Sequence, residues 1–210
     1  MAPATRRILI TVGLLLFAAA VLSALVYHSK PEQRAELARF HSPSLGDANA
    51  KVHIVEFFDP ACGTCRDFYP FVKSLMDAHP GRIRLSLRYA PFHRGSDEVV
   101  KMLEAARRQG KYWPALEAIL AAQPRWVVNH TARAELAWPA LDGLGLDLGR
   151  VKADMGLPEL AQIIRQDLED AAKLGVDKTP EFFVNGRPMP RFGYEELKGL
   201  VDRALRDAYG

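Results

Sequence analysis

VHIVEFFDPACGTCRDFYP, residues 52–70, holds both cysteines of the 210-residue chain, Cys62 and Cys65, in the spacing Cys-x-x-Cys. Ahead of them Val52–Phe58 is apolar and β-branched, which predicts a buried strand. After them Phe68, Phe71, Val72, Leu75 and Met76 recur at helical spacing, which predicts a helix over Cys62–Ala78. A cysteine pair placed where a buried strand runs into a helix favours redox chemistry. A structural zinc site needs four ligands, and the six histidines (His28, His41, His53, His79, His93 and His130) show no paired spacing to complete one. A purely structural disulfide across so short a loop would remove little entropy from the unfolded chain. The remaining use is a dithiol that cycles. Cys62, at the start of the helix, would meet the positive end of the helix dipole and unpaired backbone N–H groups, so its thiolate is favoured and it becomes the nucleophile. Cys65, one turn deeper, would be shielded and act as the resolving thiol.

Glu56 stands in the apolar strand six residues before Cys62. A carboxyl group there would be partly buried with a raised pKa, able to accept and return the proton of Cys65 during turnover. The alternative, an exposed edge charge, fits poorly because strands this apolar are usually covered on both faces. Pro70 inside the helix removes a backbone hydrogen bond and predicts a kink. His79-Pro80-Gly81 ends the helix, and Ile83–Tyr89 predicts a second strand, parallel to the first in a βαβ unit. Residues 96–176 read as mostly helical: a helix capped by Ser96 and running to Gln109, then Tyr112–Ala121, Thr131–Trp138, Leu146–Asp154 and Pro158–Leu174. Trp113, Trp126 and Trp138 read as core residues of this insertion. Glu181–Val184, the Asn185-Gly186 turn and Arg187–Pro190 predict a hairpin, and Tyr194–Ala208 a closing helix. Arg84, Arg88 and Arg94 read as a solvated face.

At the N-terminus, Arg6 and Arg7 precede Ile8–Tyr27, which carries no charge. That is the ~20 apolar residues with which a helix crosses a bilayer, and the arginines would keep the N-terminus cytoplasmic. Ala18-Ala19-Ala20 offers a signal-peptide cleavage site, but the apolar run continues past it, favouring an uncleaved anchor. The expected plan is a transmembrane anchor over residues 1–28, a polar tether over 29–44 and a catalytic domain over 45–210, with the helical insertion at about 96–176. The domain would then face the periplasm from the bacterial inner membrane, an oxidising compartment. A net charge of +3, with no basic run or interleaved aromatics, excludes a nucleic-acid partner.

Four blocks in order resemble the DsbA-like extracytoplasmic thiol-disulfide oxidoreductases of the thioredoxin superfamily. They are Glu56-Phe57-Phe58 with Cys62-Gly63-Thr64-Cys65, Gln109-Gly110-Lys111-Tyr112-Trp113, Leu174-Gly175-Val176, and Thr179 to Gly186. The resemblance implies an α/β thioredoxin-like fold with an inserted helical subdomain, a redox-active Cys62–Cys65 disulfide and a cis Pro180 facing it. It also implies a substrate-binding surface including Thr179, Pro180, Gly63 and Thr64. No cofactor or metal is implied. The implied partners are protein thiols or disulfides and a membrane redox partner, DsbB-like or DsbD-like. Where the strongly oxidising DsbA type has Cys-Pro-His-Cys, this chain has the neutral pair Gly63-Thr64, so a less oxidising couple is expected. Two other readings use the same dithiol: a dedicated reductant for metallocentre or cytochrome assembly, and a copper-binding module, which no Met-rich or His-rich tract supports.

Overall fold

A computed structural model describes residues 37–210. In chain order they form strands β1 (Ser44–Gly46) and β2 (Val52–Phe58), helix α1 (Gly63–Ala78), β3 (Ile83–Tyr89), α2 (Ser96–Arg108) and α3 (Tyr112–Trp126). A two-stranded hairpin follows, β4 (Val127–Val128) and β5 (Thr131–Ala132), and then two 3-10 turns, Ala134–Leu136 and Trp138–Leu141. The chain closes with α4 (Leu148–Asp154), α5 (Pro158–Lys173), β6 (Glu181–Val184), β7 (Arg187–Pro188) and α6 (Tyr194–Tyr209). The expected anchor over residues 1–28, and the tether up to residue 36, lie outside the described residues. Among those described, no helix is long and apolar enough to cross a membrane.

The main sheet has five strands in the order β1-β3-β2-β6-β7. β2 and β3 pair in parallel, Val52 opposite Ile83 through Phe58 opposite Tyr89, as the βαβ pattern predicts. Every other pairing in this sheet is antiparallel, β1 with β3, β2 with β6 and β6 with β7, so the sheet is mixed. Alternation along β2 sorts its side chains between two faces. Val52, Ile54 and Phe58 join Phe68, Val72 and Leu75 of α1 and Leu197 and Val201 of α6 in the larger core. Val55 and Phe57 join Leu37, Ala171, Val176 and Phe183 on the opposite face. Glu56 therefore points to the α1 side.

The helical insertion holds the largest departures from expectation. Thr131–Trp138 is not a helix: Asn129 and His130 adopt positive φ (49° and 57°) and turn the chain into the β4–β5 hairpin. α3 runs to Trp126, beyond Ala121, because Pro124 falls in its last turn and the Trp126 indole N–H returns to the Ile119 carbonyl at 2.9 Å. Ser96 does not cap α2; Gly95 does, at φ 79°, and a Cβ there would sit 2.6 Å from the Ala132 carbonyl. The bridge between Arg94 and Thr131 brings the two chains that close. α1 continues through the exposed Pro70.

Arg88 is not on a solvated face. It is fully buried and ion-paired with Asp167 and Asp170 of α5, whose carboxylates also take His41 (2.7 Å) and Arg39 (2.7 Å). The Tyr89 N–H donates to Asp167 at 2.7 Å. The compact unit accordingly begins at Leu37, with the end of the expected tether packed into it.

Candidate active site

Cys62 is the N-cap of α1, in extended backbone geometry (φ −75°, ψ 117°), and its sulfur accepts a hydrogen bond from the Cys65 N–H at 3.4 Å. Both cysteines are free thiols. The Cys62 thiol also donates to the Thr179 carbonyl oxygen at 3.3 Å, and the Thr179–Pro180 peptide bond is cis. The fold thus brings together Cys62, Cys65, Thr179 and Pro180. Pro180 is buried, Thr179 half-buried, Gly63 half-buried and Thr64 exposed.

The two sulfurs are driven apart in acidity. Cys62 falls from its ordinary 9.0 to about 6, chiefly because the Cys65 thiol hydrogen-bonds to its thiolate. Burial opposes this, while bonds from the Thr179 side chain and from the Cys65 and Thr64 backbone add to it. Thr179 acts on Cys62 in both directions: its carbonyl holds the protonated thiol, its side chain the thiolate. Cys65 is pushed far up, first by burial, then by its bond to Cys62 and the charge of Glu56. Glu56 is completely buried, and neither carboxyl oxygen has a hydrogen-bond partner in good geometry among the described residues. Burial, then the charge of Cys62, raises its carboxyl well above the ordinary 4.5, and only its interaction with Cys65 favours the charged form. A buried acid electrostatically coupled to the less acidic thiol is the expected arrangement for moving that thiol's proton.

A thioredoxin family model matches residues 40–203. The chain belongs to the thioredoxin family. A thioredoxin-like oxidoreductase from Silicibacter pomeroyi DSS-3 is similar at 34% identity and a TM-score of 0.72, over 83% of this chain and 98% of that one. Oxidised BdbD from Bacillus subtilis shares the fold at 22% identity and a TM-score of 0.68, over 79% and 93%. The probable disulfide bond formation protein D of Bacillus anthracis is 24% identical over 95% of this chain and 94% of that protein. The Na(+)/H(+) antiporter NhaA of Herminiimonas arsenicoxydans is 30% identical over 68% of this chain, which spans 22% of the antiporter's length.

In this thioredoxin-family domain the turn before Cys62 is held by residues the sequence did not single out. Asp59, fully buried, accepts from the Ala61 N–H (2.8 Å) and from both the backbone N–H (2.9 Å) and ring Nδ1 (2.7 Å) of His93. Gln123 of α3 donates through one amide nitrogen to the Pro60 carbonyl (2.8 Å) and the Cys62 carbonyl (3.0 Å). A sequence signal for Gln123 exists. It takes the i+4 place after Ile119 on the buried stripe of α3, where an apolar residue would be expected.

Proposed function

We propose that the chain is an extracytoplasmic thiol-disulfide oxidoreductase that forms, reduces or reshuffles disulfides in proteins through Cys62 and Cys65. The observation that carries this is the placement of two thiols on one helical turn. Cys62 stands at the N-cap of α1 with its sulfur 3.3 Å from the Thr179 carbonyl beside cis Pro180, and Cys65 is fully buried. That placement splits their acidities, Cys62 downward to about 6 and Cys65 upward. Such a split separates a nucleophile ionised at neutral pH from a resolving thiol that waits for a base.

In the reducing direction the Cys62 thiolate attacks one sulfur of a substrate disulfide, and the other substrate sulfur leaves as a thiolate and takes a proton from water. Cys65 passes its proton to the Glu56 carboxylate and attacks the Cys62 sulfur of the mixed disulfide. The Cys62–Cys65 disulfide forms, the second substrate sulfur leaves as a thiolate and takes a proton from water, Glu56 returns its proton to water, and two electrons have moved from enzyme to substrate. In the oxidising direction each step reverses and the substrate gains a disulfide. Thr179, Pro180, Gly63 and Thr64 border the sulfurs, where an extended peptide can pair with the Thr179 backbone as an added strand. The domain acts on the periplasmic side, attached to the inner membrane through residues 1–28, and a DsbB-like or DsbD-like membrane partner restores its redox state.

Replacing Cys65 by Ala should trap mixed disulfides through Cys62, seen as higher-mass bands that collapse on reduction. A Cys65→Ala protein that accumulates none in the periplasmic fraction would refute the assigned roles.

A further inference from the structure

We propose that Gln123 is a positioning residue of the dithiol, one that sets the acidity of Cys62 from the helical insertion; this deepens the oxidoreductase reading and rests on it. Gln123 is 2% exposed, and both donors of a carboxamide are available on its Nε2. They span the two carbonyls that flank Ala61, those of Pro60 and Cys62. The Cys62 carbonyl shares a rigid peptide plane with the Gly63 N–H. Pinning the first fixes the second, and with it the opening turn of α1 from which the Cys65 N–H donates to the sulfur at 3.4 Å.

The same contact gives the Pro60 carbonyl a donor and the Cys62 carbonyl a second one beside the Arg66 N–H (3.2 Å), offsetting the negative ends of both dipoles near a thiolate. Both effects favour the ionised sulfur. Within the same turn Asp59 holds the Ala61 N–H two residues on, so the carbonyls are fixed by a side chain of α3 and the amide by one of the turn's own. Gln123 does not touch the sulfurs. A Cβ on Gly63 would stand 3.9 Å from its Oε1, so the side chain lies against the loop without crowding it. The next residue, Pro124, has no N–H to continue the helical ladder. The last turn of α3 is closed by the Val127 N–H on the Gln123 carbonyl and the Trp126 indole on the Ile119 carbonyl, and the two Gln123 side-chain bonds tie it to the turn before Cys62.

The test uses Gln123→Met, which keeps volume and flexibility and removes both donors. Thiolate absorbance of reduced protein against pH should show the Cys62 midpoint moving above about 6. The ionisation constant should fall about fivefold, the effect of one hydrogen bond, and so about a threefold loss of thiolate follows at the wild-type midpoint. The glutathione equilibrium should move about fivefold toward the enzyme disulfide, because the reduced state has lost thiolate stabilisation. Unchanged titration and equilibrium in a folded Gln123→Met protein would overturn the proposal. Should that variant fail to fold, the native chain decides. The side-chain amide resonances of Gln123 must shift with the Cys62 midpoint, and resonances indifferent to it would overturn the assignment equally. A wild-type protein unable to exchange disulfides would instead sink the oxidoreductase reading and leave the comparison of midpoints intact.

Discussion

The Cys62 thiol donates to the carbonyl oxygen of Thr179 across 3.3 Å, joining two residues 117 positions apart in sequence. This bond holds the sulfur protonated, whereas the Thr179 side chain favours its thiolate. Thr179→Val keeps the carbonyl and removes the hydroxyl. Its Cys62 midpoint should therefore rise above about 6, read from thiolate absorbance on titration. A midpoint at or below the wild-type value would contradict the role given to the hydroxyl.

Alkylation of the reduced protein should follow one sulfur. Cys62 should react with iodoacetamide at half-maximal rate near pH 6, and Cys65 should stay unmodified until the protein unfolds. The linkage sign follows from the depressed folded value. Stability of the reduced form from this group is fully present above the ordinary 9.0 and is lost as pH falls through about 6. Since the oxidised form has no thiolate to lose, the urea midpoint of the reduced form should rise relative to that of the oxidised form as pH rises across that window.

Glu56 has the opposite sign. Its folded pKa is raised, so its contribution is fully present below the ordinary 4.5 and is lost as pH rises through the higher folded value. Glu56→Gln should flatten the fall of stability on that side of the pH profile. It should also slow disulfide exchange by ~100-fold or more, the lower range for loss of a general acid-base group, if the carboxyl moves the Cys65 proton. Insulin reduction at unchanged rate would leave Glu56 with a structural role alone.

Arg88→Met should destabilise the domain by ~3–5 kcal/mol, because it leaves Asp167 and Asp170 buried with less compensating charge. Urea unfolding at neutral pH gives the number directly. A loss under ~1 kcal/mol would mean that the Arg39 charge and the His41 hydrogen bond hold the carboxylates unaided.

The buried strand before the cysteines, the helix after them and the hairpin after Pro180 were legible because each is a local pattern: an apolar β-branched run, a period of 3.6, an Asn-Gly turn. Glu56 was legible too, since a charge amid Ile54, Val55, Phe57 and Phe58 has nowhere to go but inward. What the sequence hid depends on partners far along the chain. Arg88 resembles any polar residue on a strand until Asp167 and Asp170 arrive from α5. The β4–β5 hairpin hid behind helix-compatible residues, its turn built on Asn129 and His130 with positive φ rather than on glycine. Gln123 shows in sequence only as a polar residue on a buried stripe, and the two carbonyls it holds lie 63 and 61 positions away.

The junction at Leu37 decides how the domain is to be excised. Trimming at Leu45, where the polar stretch ends in sequence, would pull Leu37 out of a hydrophobic cluster and take Arg39 and His41 from two carboxylates at 0% exposure. A fragment begun ahead of Leu37 carries its own counter-charges. One begun at Leu45 asks Arg88 to offset both buried carboxylates of α5 with less help.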